Sequence, residues 1–407
     1  MMMNVVSALN DKYVPYTYVM LYSLFENNRS RDIAVYLLQA DLSDASKKDL
    51  SELAEGYGNE MHFVKMDRDA FDDRLLATHD WSMETCFRLA MNDVLPADLD
   101  RVIYLDGDMI INKDISPLYD MAFKNDKHLI VTHDMTMTPD SGEVYGDLHT
   151  EVFNRLIREN KYFNAGMILM DFAWLRQHYG YSDYIKMAEG LDFEIFAPDQ
   201  DLLNLMHEGQ TQFVDAWEYD LFACNAFIKN YDYDRVKKDV SIIHYVGEKP
   251  WRGGSHFHYG VEQLWWDYAL GTDYADGLLD GFISTHFGES KFYDAIHQAE
   301  QFNDNIRGEI TAAITTFKKL YALVNGQSGD VPESDEVFAD VPDRRVIPDA
   351  SENISMTRDE KIDFVRRVIS DGSVESYVSD LRRENTSLQA QLDEALKACE
   401  TLRGVLQ

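Results

Sequence analysis

Cysteine is scarce in this chain. Cys86, Cys224 and Cys399 are the only three in 407 residues, and no two stand in C-x-x-C spacing. That excludes a thiolate zinc site and a disulfide framework. Positive charge is scarce too: 38 Lys and Arg face 72 Asp and Glu, for a formal net charge of -34. Nucleic acid and anionic membrane surfaces both call for basic patches, so neither is expected as a partner. No apolar run reaches transmembrane length. The start, Met1-Met2-Met3-Asn4-Val5-Val6-Ser7, has neither a basic region nor a long apolar core, so no signal peptide is expected. The expected compartment is the cytoplasm.

What is present is a globular composition. Hydrophobic residues make up 45% and aromatics 12%, which permits a sizeable core. The length suits two domains or one large domain with additions. Apolar runs at 4–9, 33–39, 61–66, 101–111, 128–133 and 166–171 predict strands. Helical spacing predicts helices over about 14–28, from an N-cap at Ser43 to about Tyr57, and over 84–95. Strands alternating with helices imply parallel βαβ units in an α/β sheet, with ligands beyond the carboxyl ends of the strands. This pattern fills a domain spanning 1–270. A helical extension follows over 271–326, then an acidic linker with a short helix over 327–370.

Residues 371–407 carry a different signature. Val374, Val378, Leu381, Asn385, Leu388, Leu392, Ala395, Cys399, Leu402 and Leu406 alternate spacings of four and three. Such a seam predicts a coiled coil, and a lone core Asn385 favours two parallel strands, hence a homodimer. The alternative is an amphipathic helix that packs on its own chain.

The chemistry centres on Asp106-Gly107-Asp108, set inside the apolar run 102–111. Asp is a poor strand former, so the pair wants a reason. A hard divalent cation supplies one, since magnesium and manganese are held by carboxylates together with substrate phosphates. An ordinary Asp-Gly turn is the competing reading. Further along, an apolar strand ends at His244, a candidate nitrogen ligand. Gly247 permits close backbone approach, and Lys249 can meet phosphate oxygens. Asn164-Ala165-Gly166 offers small residues and an amide to a sugar, or else a turn. Asp199 precedes Gln200 and is itself a candidate helix cap. Arg88 lies on a predicted helix, where the plain alternative is a surface arginine.

Taken in order, these pieces resemble the family-8 glycosyltransferases, which include glycogenin and bacterial lipopolysaccharide galactosyl- and glucosyltransferases. The resemblance covers roughly residues 3–270 and includes Ala8 and Tyr13 near the first strand and Leu264-Trp265-Trp266 after the last motif. It implies a GT-A fold with a mixed central sheet. It implies transfer of a hexose from UDP-glucose or UDP-galactose to a glycan, lipopolysaccharide or glycoprotein acceptor, with retention. By the same resemblance, Asp106, Asp108 and His244 would bind manganese, with magnesium a possible substitute. Gly107 would stand between the two carboxylates at the donor site. Gly247 and Lys249 would hold the diphosphate. Ala8, Asn10 and Tyr13 would contact the uridine, while Arg88, Asn164, Ala165, Asp199 and Gln200 would surround the donor sugar. Gln200 is an amide and a poor nucleophile, so front-face attack is favoured over a double displacement. The chain departs from the family in having only Glu248 between Gly247 and Lys249, and in Asn10 and Lys12. Two other readings stay open: a haloacid-dehalogenase-like phosphotransferase with Asp106 as nucleophile, and a non-catalytic scaffold.

Overall fold

A computed structural model describes residues 2–76, 82–139, 151–252, 260–287, 306–319, 357–371, 383 and 387–401. The chain divides into two units, Met1–Leu278 and Leu279–Gln407.

The first unit is built on two sheets. The larger has seven strands: β1 (Met3–Ala8), β2 (Ile33–Gln39), β3 (Glu60–Lys65), β4 (Arg101–Leu105), β6 (Leu129–His133), β7 (Phe163–Asp171) and β8 (Thr211–Val214). Their order is β3-β2-β1-β4-β7-β6-β8. β1 pairs in parallel with β2 and β4, whereas β7 runs antiparallel to both β4 and β6. The sheet is therefore mixed, as the resemblance implies, with the parallel units that the βαβ alternation predicts confined to part of it. The smaller sheet joins β5 (Met109–Ile111), β10 (Ile242–His244) and β9 (Leu221–Phe222) in the order β5-β10-β9.

The run 101–111, expected as one strand, is two. Asp106-Gly107-Asp108 carries the chain from β4 in the large sheet to β5 in the small one. Both flanks are fully buried, so hydrophobic periodicity gives no sign of the break. Gly107 is required at the turn, because a β-carbon there would lie 2.4 Å from Thr17 Oγ1 on helix α1 (Val14–Asn27).

Successive strand residues face opposite sides. Val6, Val102, Tyr104 and Ile168 join one core layer, and Val5, Ile103, Leu105 and Leu169 join the other, which includes Leu21 and Leu24 of α1. Helix α2 (Asp44–Gly56) starts as expected: Ser43 Oγ accepts the Ser46 N–H at 3.2 Å. The helix expected over 84–95 is instead two single helical turns, Met83–Cys86 and Met91–Val94, joined by a 3-10 turn, Phe87–Ala90.

In the second unit, residues 306–319 and 387–401 are helical. Leu392, 3% exposed, clusters with Ile306 and Ala313, and Leu388, Ala395 and Leu396 pack on the same cluster. The Cys399 thiol reaches Ala313 O at 3.3 Å. The described part of the heptad seam thus packs within its own chain. Val374, Val378, Leu381, Asn385, Leu402 and Leu406 lie outside the described residues. No helix among the described residues is long and apolar enough to cross a membrane.

Candidate active site

The two sheets meet where Asp106 and Asp108 leave β4 and where β10 ends at His244. Pairing of Met109 with His244 brings the imidazole beside the turn. His244 Nε2 lies 3.3 Å from Asp108 Oδ1 and 3.9 Å from Asp106 Oδ2. One ligand atom from each of the three residues falls within 4.8 Å of the others, so the group could hold a metal ion. Two carboxylate oxygens and one imidazole nitrogen are a donor set that manganese or magnesium accepts.

Charges within the group offset one another. Burial works against the charged form of His244, but Asp108 and Asp220 outweigh it and push the imidazole up to about 10. Burial also opposes ionisation of Asp108, yet Lys249 and His244 hold it well below the usual carboxylate range. The site concentrates negative charge that protein cations partly offset, which is what a divalent ion would complete.

Lys249 Nζ donates to Asp108 Oδ2 and, at 2.7 Å, to Tyr245 O. Gly247, two residues earlier, has φ +76°, a conformation that favours glycine. Trp251 closes this segment by stacking on Tyr16 with centroids 4.0 Å apart, and Tyr13 meets both rings edge-on. Tyr13 is held neutral, first by burial and then by Asp108 and Asp106. Ala8 ends β1 and packs on the core layer of Val6 and Tyr104, whereas Tyr13 packs on the opposite layer. Asn10 Nδ2 donates to Glu84 Oε2 at 3.1 Å, and its Oδ1 is buried without a partner. His256 and His258 lie outside the described residues.

Arg88 is not a surface residue. It is 7% exposed, with Nη2 2.8 Å from Asp106 Oδ1 and Nε 2.9 Å from Asp199 Oδ2. Its guanidinium lies 4.2 Å from the centroid of the Tyr104 ring. Asp199 sits in the first turn of helix Pro198–Met206 but does not cap it; the N-cap is Ala197. No side chain caps it; Asp201 instead holds the chain entering the helix, accepting the Phe196 and Ala197 N–H groups at 2.7 and 3.1 Å. Burial raises Asp199 to about 6 against the pull of Arg88.

Asn164-Ala165-Gly166 lies within β7, not in a turn before it. Gln200 Oε1 accepts from Asn164 Nδ2 at 3.1 Å and from Ala165 N at 2.9 Å. Gln200 Nε2 donates to Asp134 Oδ2 at 3.0 Å. Two carboxylates at the site escape sequence reasoning. Asp134 follows β6, and Asp220 precedes β9; Asp220 Oδ1 lies 3.0 Å from His244 Nδ1. Burial pushes Asp220 up as well. A single Asp beside an apolar pair, as in Asp220-Leu221-Phe222, is too common a pattern to flag either one.

Comparison with known proteins bears on the family and the fold. Residues 4–254 match the sequence model of glycosyl transferase family 8. General stress protein A of Bacillus subtilis is 23% identical over 65% of this chain and 94% of its own length. An Escherichia coli lipopolysaccharide 1,2-glucosyltransferase is 24% identical over 62% of this chain and 74% of its own. The galactosyltransferase LgtC, solved with donor and acceptor sugar analogues, superposes with a TM-score of 0.56 at 21% identity. That match covers 68% of this chain and 100% of LgtC.

Proposed function

Because the chain belongs to glycosyl transferase family 8 and has the GT-A fold with a mixed central sheet, we propose that it moves a hexose from UDP-glucose or UDP-galactose to a glycan or glycoconjugate acceptor, with retention at the anomeric carbon. The observation that carries this reading is the convergence of Asp106, Asp108 and His244 at the end of β4, with Lys249 already drawn to Asp108. The three ligands would hold manganese, or magnesium in its place. When bound, such an ion neutralises the diphosphate and favours its departure as a Lewis acid.

The chain's own residues supply the rest. Lys249 exchanges Asp108 for a diphosphate oxygen, and the Gly247 backbone lies close to the same group. Ala8, Asn10 and Tyr13 contact the uridine, with the Tyr13 ring beneath the uracil. Arg88, Asn164, Ala165, Asp199 and Gln200 surround the hexose. Gln200 is a positioning group and not a nucleophile, because its carbonyl oxygen already accepts two hydrogen bonds. Attack on the same face as departure is therefore favoured. A donor phosphate oxygen takes the acceptor's proton, while Gln200 steadies the oxocarbenium-like state.

The test is a panel of UDP-sugars with manganese, magnesium or EDTA, scored for UDP release and for the anomeric configuration of the product. Metal-dependent release from UDP-glucose or UDP-galactose with a retained anomer is expected. Turnover of a phosphate ester, with a stable acyl-phosphate on Asp106, would overturn the reading.

A further inference from the structure

One buried charge at this site has no role among those above. Asp220 is 0% exposed, and both of its oxygens are engaged. Oδ1 lies 3.0 Å from His244 Nδ1, and Oδ2 accepts the Thr132 hydroxyl at 2.7 Å.

The placement is specific. Thr132 belongs to β6 of the large sheet, Asp220 immediately precedes β9 of the small sheet, and His244 closes β10 beside it. Asp106-Gly107-Asp108 joins the two sheets covalently on one side of His244. The Thr132–Asp220 hydrogen bond ties them on the other. The imidazole is thus gripped at Nδ1 from behind, and its Nε2 faces the two aspartates.

A buried carboxylate is an expensive strut. Removing its charge from water is strongly unfavourable unless a cation or hydrogen bonds offset it. An asparagine could bridge a threonine and a ring N–H at less cost, so the charge calls for a reason beyond bridging. A carboxylate on the far nitrogen of a ligating histidine both fixes the ring and raises its basicity toward a metal.

We propose that Asp220, braced by Thr132, is the positioning residue that aims His244 Nε2 at the Asp106–Asp108 pair and thereby sets the chain's affinity for a divalent cation. This rests on the reading of Asp106, Asp108 and His244 as metal ligands.

The test uses the full chain and Mn2+ alone, without nucleotide, with free Mn2+ followed by EPR. Asp220→Ala is expected to weaken binding by about 10- to 100-fold. Asp220→Asn keeps an acceptor for Nδ1 but loses the charge, and falls between Asp220→Ala and wild type. Thr132→Val weakens binding less than Asp220→Ala. In parallel, NMR of 15N-histidine-labelled protein follows the hydrogen-bonded His244 Nδ1–H proton, which is expected in wild type and Asp220→Asn and lost in Asp220→Ala. Wild-type Mn2+ affinity in folded Asp220→Ala overturns the proposal. Should that variant not fold, wild-type affinity in Asp220→Asn does so. If the wild-type chain binds no Mn2+, the metal reading has failed. The anchoring of His244 is then decided by the Nδ1–H signal alone, and its persistence in Asp220→Ala refutes it.

Discussion

Gly166 on β7 approaches the His244 ring so closely that a β-carbon there would lie 2.4 Å from His244 Cε1. The same carbon would stand 2.9 Å from Asp106 Oδ2. Gly166 is therefore what lets the ring and the first aspartate share one space, and its own backbone conformation needs no glycine. Gly166→Ala should leave the fold intact, at a cost of about 1–3 kcal/mol for overpacking. It should cut sugar transfer by about 100-fold or more, because a displacement of about 1 Å at a reacting centre has that effect. Steady-state kinetics beside a thermal melt separate the two effects. Unchanged turnover would mean that the ring and the aspartate need not meet.

Arg88 divides its guanidinium between Asp106 and Asp199. Arg88→Ala leaves the buried Asp199 and the partly exposed Asp106 without their shared cation, so a stability loss of about 3 kcal/mol is expected. Arg88→Lys retains the charge but not the fork that reaches both partners, and should recover only part of that loss. Urea unfolding of the three proteins measures this. Equal stability of all three would show that the carboxylates find other partners.

Sequence reading succeeds where a signal is local. The Ser43 cap, the period of α1 and the apolar runs of β1 to β3 each depend on neighbours within a few residues. It fails where the signal lies across the fold. The Asp106-Gly107 turn signal marks the break in the run 102–111, but with both sides equally apolar it does not say that the two halves enter different sheets. Arg88 lies in a 3-10 turn whose four residues are all buried, which no spacing in the sequence signals. Asp134 and Asp220 gain their meaning only when β6, β9 and β10 come together. Asp106, Asp108, His244, Lys249 and Gln200 stand out in sequence because each sits in a short motif of unusual composition.

His207 supplies a pH dependence outside the metal group. It is buried, with Nε2 2.8 Å from the Tyr184 hydroxyl, and burial lowers it from an ordinary 6.5 to about 4. Between those values the unfolded chain binds the proton and the folded chain does not. Stability is therefore complete above about 6.5 and is lost as pH falls toward 4, by about 3 kcal/mol from this group. Asp199 and Asp201, raised by burial to about 6, act in the opposite sense and lose stability as pH rises from about 4 toward 6. His207→Gln preserves a partner for Tyr184 and removes only the histidine contribution. Melting curves from pH 4 to 7 should show the wild-type chain falling more steeply toward acid than the variant. Parallel curves would rule out this role.

Leu392 decides how the heptad seam is used. In the sequence it is a core position of a pairing helix; in the structure its side chain is buried with Ile306 and Ala313 of the same chain. Leu392→Ala should cost about 2–5 kcal/mol of packing in the Leu279–Gln407 unit. If docking is internal, protease cleavage opens together within 306–319 and 387–401, and the mass by sedimentation does not change. If the seam instead pairs two chains, the same substitution halves the mass and leaves 306–319 as protected as before. The two uses compete for one face, because the Leu388–Leu392–Ala395 row that a partner helix would need is the row that meets 306–319.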